Sequence, residues 1–183
     1  MKTKTIVPLI LAAGLAVLLG CAGPETETAE TPDPGPDLDH LFLAQKPSNA
    51  TPVAAIVADP VEGAEVTVEG KIGGAVDVFG KGYAVFFLAD DSVYFCNEMP
   101  EDTCPTPWDA CCEDPDKLAK GRLLVQFTDD SGEVLPVHLK GVNGLAGLDT
   151  VTVKGTVISG RDGVVTIDAD GIYREAGETP DSG

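Results

Sequence analysis

Short runs in which apolar and polar residues alternate, each cut off by Gly, Asp or Asn, fill the middle and the second half of this chain, and such a pattern builds strands rather than helices. EVTVEGKIGG sets Val66, Val68, Gly70 and Ile72 on one face against Thr67, Glu69 and Lys71 on the other, the period-two signature of a half-buried strand. YAVFFLADDSVYFCNE reads as two more strands, Ala84 to Ala89 and Ser92 to Asn97, joined by a tight Asp90-Asp91 turn. LLVQFTDDSGEVLPVHLKG reads as a hairpin turning at Asp129 to Gly132. The last stretch predicts a strand from Val151 to Ile158, a turn at Gly160 to Gly163 and a strand from Val164 to Asp168. One helix is expected, in EDPDKLAKG, with Asp114 as cap, Pro115 at the first helical position and Gly121 at the end. Roughly six or seven short strands with frequent turns imply an all-β antiparallel barrel or sandwich.

Three stretches narrow this further. Val66-x-Val68-x-Gly70-x-Ile72, GYAVFFLADDSVYFC and LDTVTVKGTV resemble, in order, the first strand of an OB-fold bent at its glycine, its second and third strands, and the strand that returns to the first. The resemblance covers most of residues 62 to 174 and implies a small five-stranded Greek-key barrel with a helix between strands three and four. The domain is expected to run from 52 to 174, with 175–183 as a disordered tail. Residues 21–51 are expected to be a mostly disordered linker, because AGPETETAETPDPGP holds no large apolar residue that could offset the entropy of ordering. Within it Leu38, Leu41, Phe42 and Leu43 can make one helical turn or dock on the domain.

The N-terminus reads MKTKTIVPLILAAGLAVLLGC, with Lys2 and Lys4 ahead of a fourteen-residue uncharged run, Ile6 to Leu19. That run is shorter than the roughly 20 apolar residues of a membrane span and matches the hydrophobic region of a secretion signal. Leu18-Leu19-Gly20-Cys21 resembles the lipobox of bacterial lipoproteins. The resemblance implies that residues 1–20 are a signal peptide, that Cys21 carries the lipid, and that the protein is exported and anchored to an envelope membrane. Ala22, rather than Asp, follows the cysteine, which by the sorting rule of such lipoproteins implies the outer membrane.

Lys+Arg number 12 and Asp+Glu 30, a net charge of −18. Removing residues 1–20 takes two lysines and no acid, leaving 10 − 30 = −20. Such a surface repels phosphate backbones and argues against nucleic acid as a ligand. Phe86, Tyr94 and Trp108 are the aromatics best placed for a ligand face on an OB-like barrel, and a peptide or a glycan is the ligand class left open. His40 and His138, the two histidines, stand in no hydrolase motif, and Asp168-Ala169-Asp170-Gly171 lacks the length and the glutamate of a calcium loop. No catalytic residues are assigned, and the chain is expected not to be an enzyme.

CNEMPEDTCPTPWDACC packs Cys96, Cys104, Cys111 and Cys112 into seventeen positions. With Cys21 taken by lipid, the remaining four can pair, as exported cysteines do. The expected state is two disulfides, Cys96 with Cys111 and Cys104 with Cys112, or Cys96 with Cys112 and Cys104 with Cys111; a Cys111–Cys112 bond is disfavoured by strain. Trp108 is expected to pack on the sulfurs. The alternative is a metal or redox site made of the same four cysteines, with zinc or another thiophilic ion; without it no cofactor is expected. The spacing suits a metal poorly, since adjacent cysteines on an extended chain point apart. The surrounding acids disfavour a reactive thiol. CPTPWD between such strands also resembles cysteine clusters of uncharacterised bacterial envelope proteins, a likeness that implies no activity. The reading that results is a lipid-anchored envelope protein whose stapled barrel is an interaction or structural module for another envelope protein or a small ligand.

Overall fold

A computed structural model describes residues 37–99, 103–158 and 164–175. The signal peptide, Cys21, the Ala22–Pro36 tether, the turn at 160–163 and the tail from 176 lie outside the described residues.

The strands are β1 (Thr51–Pro52), β2 (Glu65–Ile72), β3 (Val85–Ala89), β4 (Arg122–Gln126), β5 (Thr150–Ile158) and β6 (Thr166–Arg174). They are accompanied by two short helices, α1 (Val53–Ala58) and α2 (Pro115–Lys120). β2 pairs with β3, β3 with β4, β4 with β6, β6 with β5, and β5 again with β2, which closes a five-stranded barrel; β1 adds two residues alongside β2. This order is the OB-like Greek key. The barrel is not wholly antiparallel as expected from sequence, because β4 and β6 run parallel. A closed ring with an odd number of strands cannot alternate direction all the way round, so one parallel neighbour is unavoidable.

Alternation along the strands fills the barrel. Val68 and Ile72 of β2, Phe86 and Leu88 of β3, Leu123 and Val125 of β4, Val151, Val153 and Val157 of β5, and Ile167 and Ile172 of β6 are all buried in one cluster. β2 changes partner near Gly70. Residues 65–71 pair with β5, and Lys71 and Ile72 pair with β3. A Cβ on Gly70 would stand 2.5 Å from the Ala89 carbonyl oxygen, so only glycine lets β3 come this close.

Five features differ from the expectation. Ser92 to Asn97 is not a strand: after Ala89 the chain turns, and Cys96–Glu98 forms a 3₁₀ turn. The cause is Asp90, whose Oδ1 accepts from the backbone and hydroxyl of Ser92 and locks the turn, while its Oδ2 accepts from the Ala54 N–H at the start of α1. Helix α2 forms at its expected place, with Asp114 Oδ1 accepting from the N–H groups of Asp116 and Lys117. Because the third expected strand is absent, however, α2 lies between the second and third barrel strands. The hairpin turn at Asp129–Gly132 is present, but its second arm makes a single bridge, Thr128 with Val134, before Pro136, which has no N–H to give to a ladder. Finally, α1 exists and β6 extends to Arg174.

Residues 37–43 both turn and dock. Asp39–Leu41 is a 3₁₀ turn, Leu38 and Leu41 are buried in the main cluster, and Phe42 bridges to Ile172 of β6. Among the described residues no helix is long and apolar enough to cross a membrane.

Candidate functional site

The cysteine segment occupies the connection from β3 to β4 and folds back on itself. The Cys96 N–H donates to the Asp109 carbonyl (2.8 Å), the Asn97 N–H to the Pro107 carbonyl (3.1 Å), and the Tyr94 N–H to Glu113 Oε2 (2.9 Å). These bonds lay residues 94–97 against 107–113. The segment is tied to the barrel by the Gly74 N–H, which donates to the Trp108 carbonyl (2.8 Å), and by Phe95 and Ala110, buried with Ala89 and Val93 in a second small cluster. Glu113 also accepts from Lys117 of α2 (2.7 Å). Lys117 first, then the Tyr94 and Asp114 amides, hold the Glu113 carboxyl down to about 2.

That fold brings the sulfurs together. Cys96 Sγ lies 3.5 Å from Cys111 Sγ, and the Sγ atoms of Cys96, Cys104 and Cys111 all lie within 4.8 Å of one another. Cys112 Sγ is 3.8 Å from Cys111 Sγ. Cys104 Sγ also sits 3.2 Å from Thr106 Oγ1. A disulfide requires about 2.05 Å, so the double staple expected from the sequence is not formed here: the cysteines are near one another but not disulfide-bonded. The expectation that Cys111 and Cys112 point apart also fails, because residues 111 and 112 occupy a turn rather than an extended segment. Cys96 is buried, Cys104 half-buried, and Cys111 and Cys112 exposed.

The Cys96 and Cys111 thiols are both shifted toward the protonated form. Burial, then the hydrogen bond with Cys111, pushes the Cys96 thiol up to about 12. For Cys111 the bond with Cys96 pulls down, but Cys112, desolvation and the negative charge of Asp109 outweigh it and the thiol stays raised. Nucleophilic cysteines need the opposite setting, a depressed pKa beside cations. Thiolates about 2.3 Å from a tetrahedral zinc ion stand about 3.8 Å from each other; the 3.5 Å between Cys96 and Cys111 is close to that edge, and the Cys96, Cys104 and Cys111 sulfurs all lie within 4.8 Å of one another. Spacing in sequence concealed this, because the fold-back at 94–113 and the turn at 111–112 are what make the sulfurs converge.

The three aromatics of the expected ligand face are not brought together. Phe86 is fully buried, its ring tilted at 53° to that of Phe79 with centroids 6.2 Å apart, and cannot meet a ligand. Strand alternation turns it inward and leaves Phe87 outward beneath the Arg122 guanidinium, 4.6 Å from the ring centre. Tyr94 is exposed and donates its hydroxyl to the Glu98 carbonyl (2.9 Å). Trp108 packs on Gly147, where a Cβ would come within 2.8 Å of its ring, and donates to the Val76 carbonyl (3.1 Å). Lys140 Nζ lies 5.4 Å over the same ring. With Val76, Phe79, Lys81 and His138, Trp108 and Lys140 line a shallow groove of about 250 Å³ that sequence reading missed. His138 Nδ1 is within 2.9 Å of the Gly80 carbonyl.

No family model and no curated protein matches the chain. Among solved structures it is similar to two OBodies, each bound to hen egg-white lysozyme. The first is 18% identical, with 72% of this chain and 98% of that one covered and a TM-score of 0.40. The second is 16% identical, with 71% and 97% covered and a TM-score of 0.38. It is also similar to the hypothetical protein ygiW from E. coli, 17% identical over 71% of this chain and 95% of that one, with a TM-score of 0.35. The OB-like architecture rests on the strand order and register given above, independently of these likenesses.

Proposed function

We propose that the protein is a non-catalytic envelope lipoprotein, anchored through lipid on Cys21, whose OB-like barrel serves as a scaffold for a thiolate site that holds a thiophilic metal ion. The observation that carries this reading is the convergence of Cys96, Cys104 and Cys111 sulfurs within 4.8 Å, with Cys96 and Cys111 3.5 Å apart. Sulfur is the ligand that soft d¹⁰ ions such as zinc or copper(I) prefer. The site is set in a strongly acidic chain, net −18, with Glu98, Asp109, Glu113 and Asp114 in the same segment; such a field concentrates cations near it. Each thiol must give up its proton to the solvent as it binds the ion, and bonding to the cation offsets the burial that disfavours the Cys96 thiolate.

The test is elemental analysis of the full chain, reduced with a phosphine, loaded with zinc and passed through a desalting column. One zinc per chain in the wild type, lost in Cys96→Ser and in Cys104→Ser, is the expected result. Protein that leaves the column without stoichiometric metal overturns the reading.

A second reading is favoured by the same 3.5 Å contact: a disulfide joining Cys96 to Cys111, formed by exchange with an external disulfide that takes up the two electrons and two protons of the thiols and leaves as two thiols. Peptide mapping of protein isolated without reductant checks it, the expected product being the Cys96–Cys111 cross-link. A Cys96–Cys112 link instead would rule this pairing out.

A further inference from the structure

The cluster has an inside and an outside that share one sulfur. Cys96 is buried and, with Cys104, forms the inner part; Cys112 is exposed; Cys111 is exposed and belongs to both, 3.5 Å from Cys96 and 3.8 Å from Cys112. Both separations are near the edge of about 3.8 Å between two thiolates on one tetrahedral ion. A hydrated ion arriving from solvent cannot meet Cys96 first. It can meet Cys111 and Cys112, adjacent residues whose turn holds both sulfurs on the surface.

We propose that Cys112 is a capture ligand: the vicinal pair Cys111 and Cys112 takes up a thiophilic ion at the surface and passes it to Cys96, Cys104 and Cys111, with Cys111 bonded throughout. This rests on the metal-site reading above. In the capture step two metal–sulfur bonds form, water leaves the ion, and Cys111 and Cys112 each release a proton. In the transfer step the metal–Cys112 bond breaks and Cys112 takes a proton from solvent, while bonds to Cys96 and Cys104 form and their two protons leave. No electron is transferred. The reverse sequence delivers the ion to an acceptor that carries its own soft ligands, so the exposed thiol makes the site suited to exchange rather than to permanent structural retention.

The experiment mixes reduced full-length protein with cadmium(II) in a stopped-flow instrument and follows the near-ultraviolet thiolate-to-cadmium absorption. Cys112→Ser changes an exposed side chain that meets Cys111 Sγ at 3.8 Å, and the fold is expected to tolerate it. The expected result is an unchanged final absorbance and stoichiometry with loading slowed about tenfold, the lower part of the range over which supporting residues act on metal sites. Loss to an added chelator slows in parallel. A Cys112→Ser protein that loads at the wild-type rate overturns the capture role while leaving the metal site standing. A final absorbance lowered by one thiolate's share overturns it too, since Cys112 is then a permanent fourth ligand. Wild-type protein that retains no cadmium overturns the metal-site reading itself, and the capture role with it.

Discussion

Asp90 joins two distant parts of the chain through a single buried carboxylate: Oδ2 receives the Ala54 N–H of α1 at 2.9 Å, and Oδ1 receives the backbone and hydroxyl of Ser92 at 3.0 and 2.7 Å. Burial alone would raise its pKa, but the three hydrogen bonds outweigh burial and hold it below the usual carboxylate range. Asp90→Ala removes a helix cap and unlocks the turn that leads to the cysteines. We expect a loss of about 1–2 kcal/mol, read as a lowered urea midpoint. The sign of the pH effect follows from the depressed pKa. The unfolded chain binds the proton more readily, so the stabilisation is complete above the ordinary carboxylate range near 4 and fades as pH falls through the lower folded value. Glu113, held down to about 2, acts in the same direction. Urea midpoints measured between pH 7 and pH 2 are expected to fall below about pH 4, and by less in Asp90→Asn, which cannot titrate. A midpoint that rises toward pH 2 would contradict this assignment.

Two elements show why some local signals succeed and others fail. Helix α2 was legible because everything it needs lies within eight residues: Asp114 caps it, Pro115 starts it and Gly121 ends it. Asp114→Ala is expected to cost about 1 kcal/mol, measured by thermal unfolding. Helix α1 was not legible, since Pro52 offers no side-chain cap and the acceptor comes from Asp90, 36 residues away. The stretch from Ser92 to Asn97 carries the alternation of a strand, yet it finds a partner in the irregular segment 107–113 rather than at a sheet edge. Strand β2 depends on Gly70, where any side chain meets the Ala89 carbonyl. Gly70→Val is expected to destabilise the barrel by about 1–3 kcal/mol or more, seen as a lower Tm, because the obstacle is backbone and cannot move aside cheaply.

For the molecule as a whole, residues 37–43 are packed onto the barrel. Leu38 and Leu41 are buried in the main core, and the Leu43 N–H donates to the Ile172 carbonyl at 2.8 Å. Leu41→Ala is expected to cost about 2 kcal/mol, the low end for a leucine at the margin of a core, and deleting residues up to Leu43 is expected to cost more. Equilibrium unfolding of the two variants checks the order. The excess of 30 acids over 12 bases also works at this scale. Self-repulsion opposes the folded state, so raising salt from about 10 to 150 mM, which shortens the screening length to about 8 Å, is expected to raise the Tm of the metal-free protein.

Most strands and α2 are legible from local patterns, because alternation, caps and turn residues act over a few neighbours. The charge and the number of cysteines available for chemistry are likewise set by composition alone. It took the folded chain to set which faces became interior, burying Phe86 and leaving Trp108 at a groove beside Lys140. Only it closed the ring with β4 parallel to β6. It alone brought the sulfurs of Cys96, Cys104 and Cys111 together, by laying residues 94–97 against 107–113 and turning the chain at 111–112. The physical reason is one and the same: each of these depends on pairing between residues far apart in the chain, and local periodicity carries no record of which partner a segment will find.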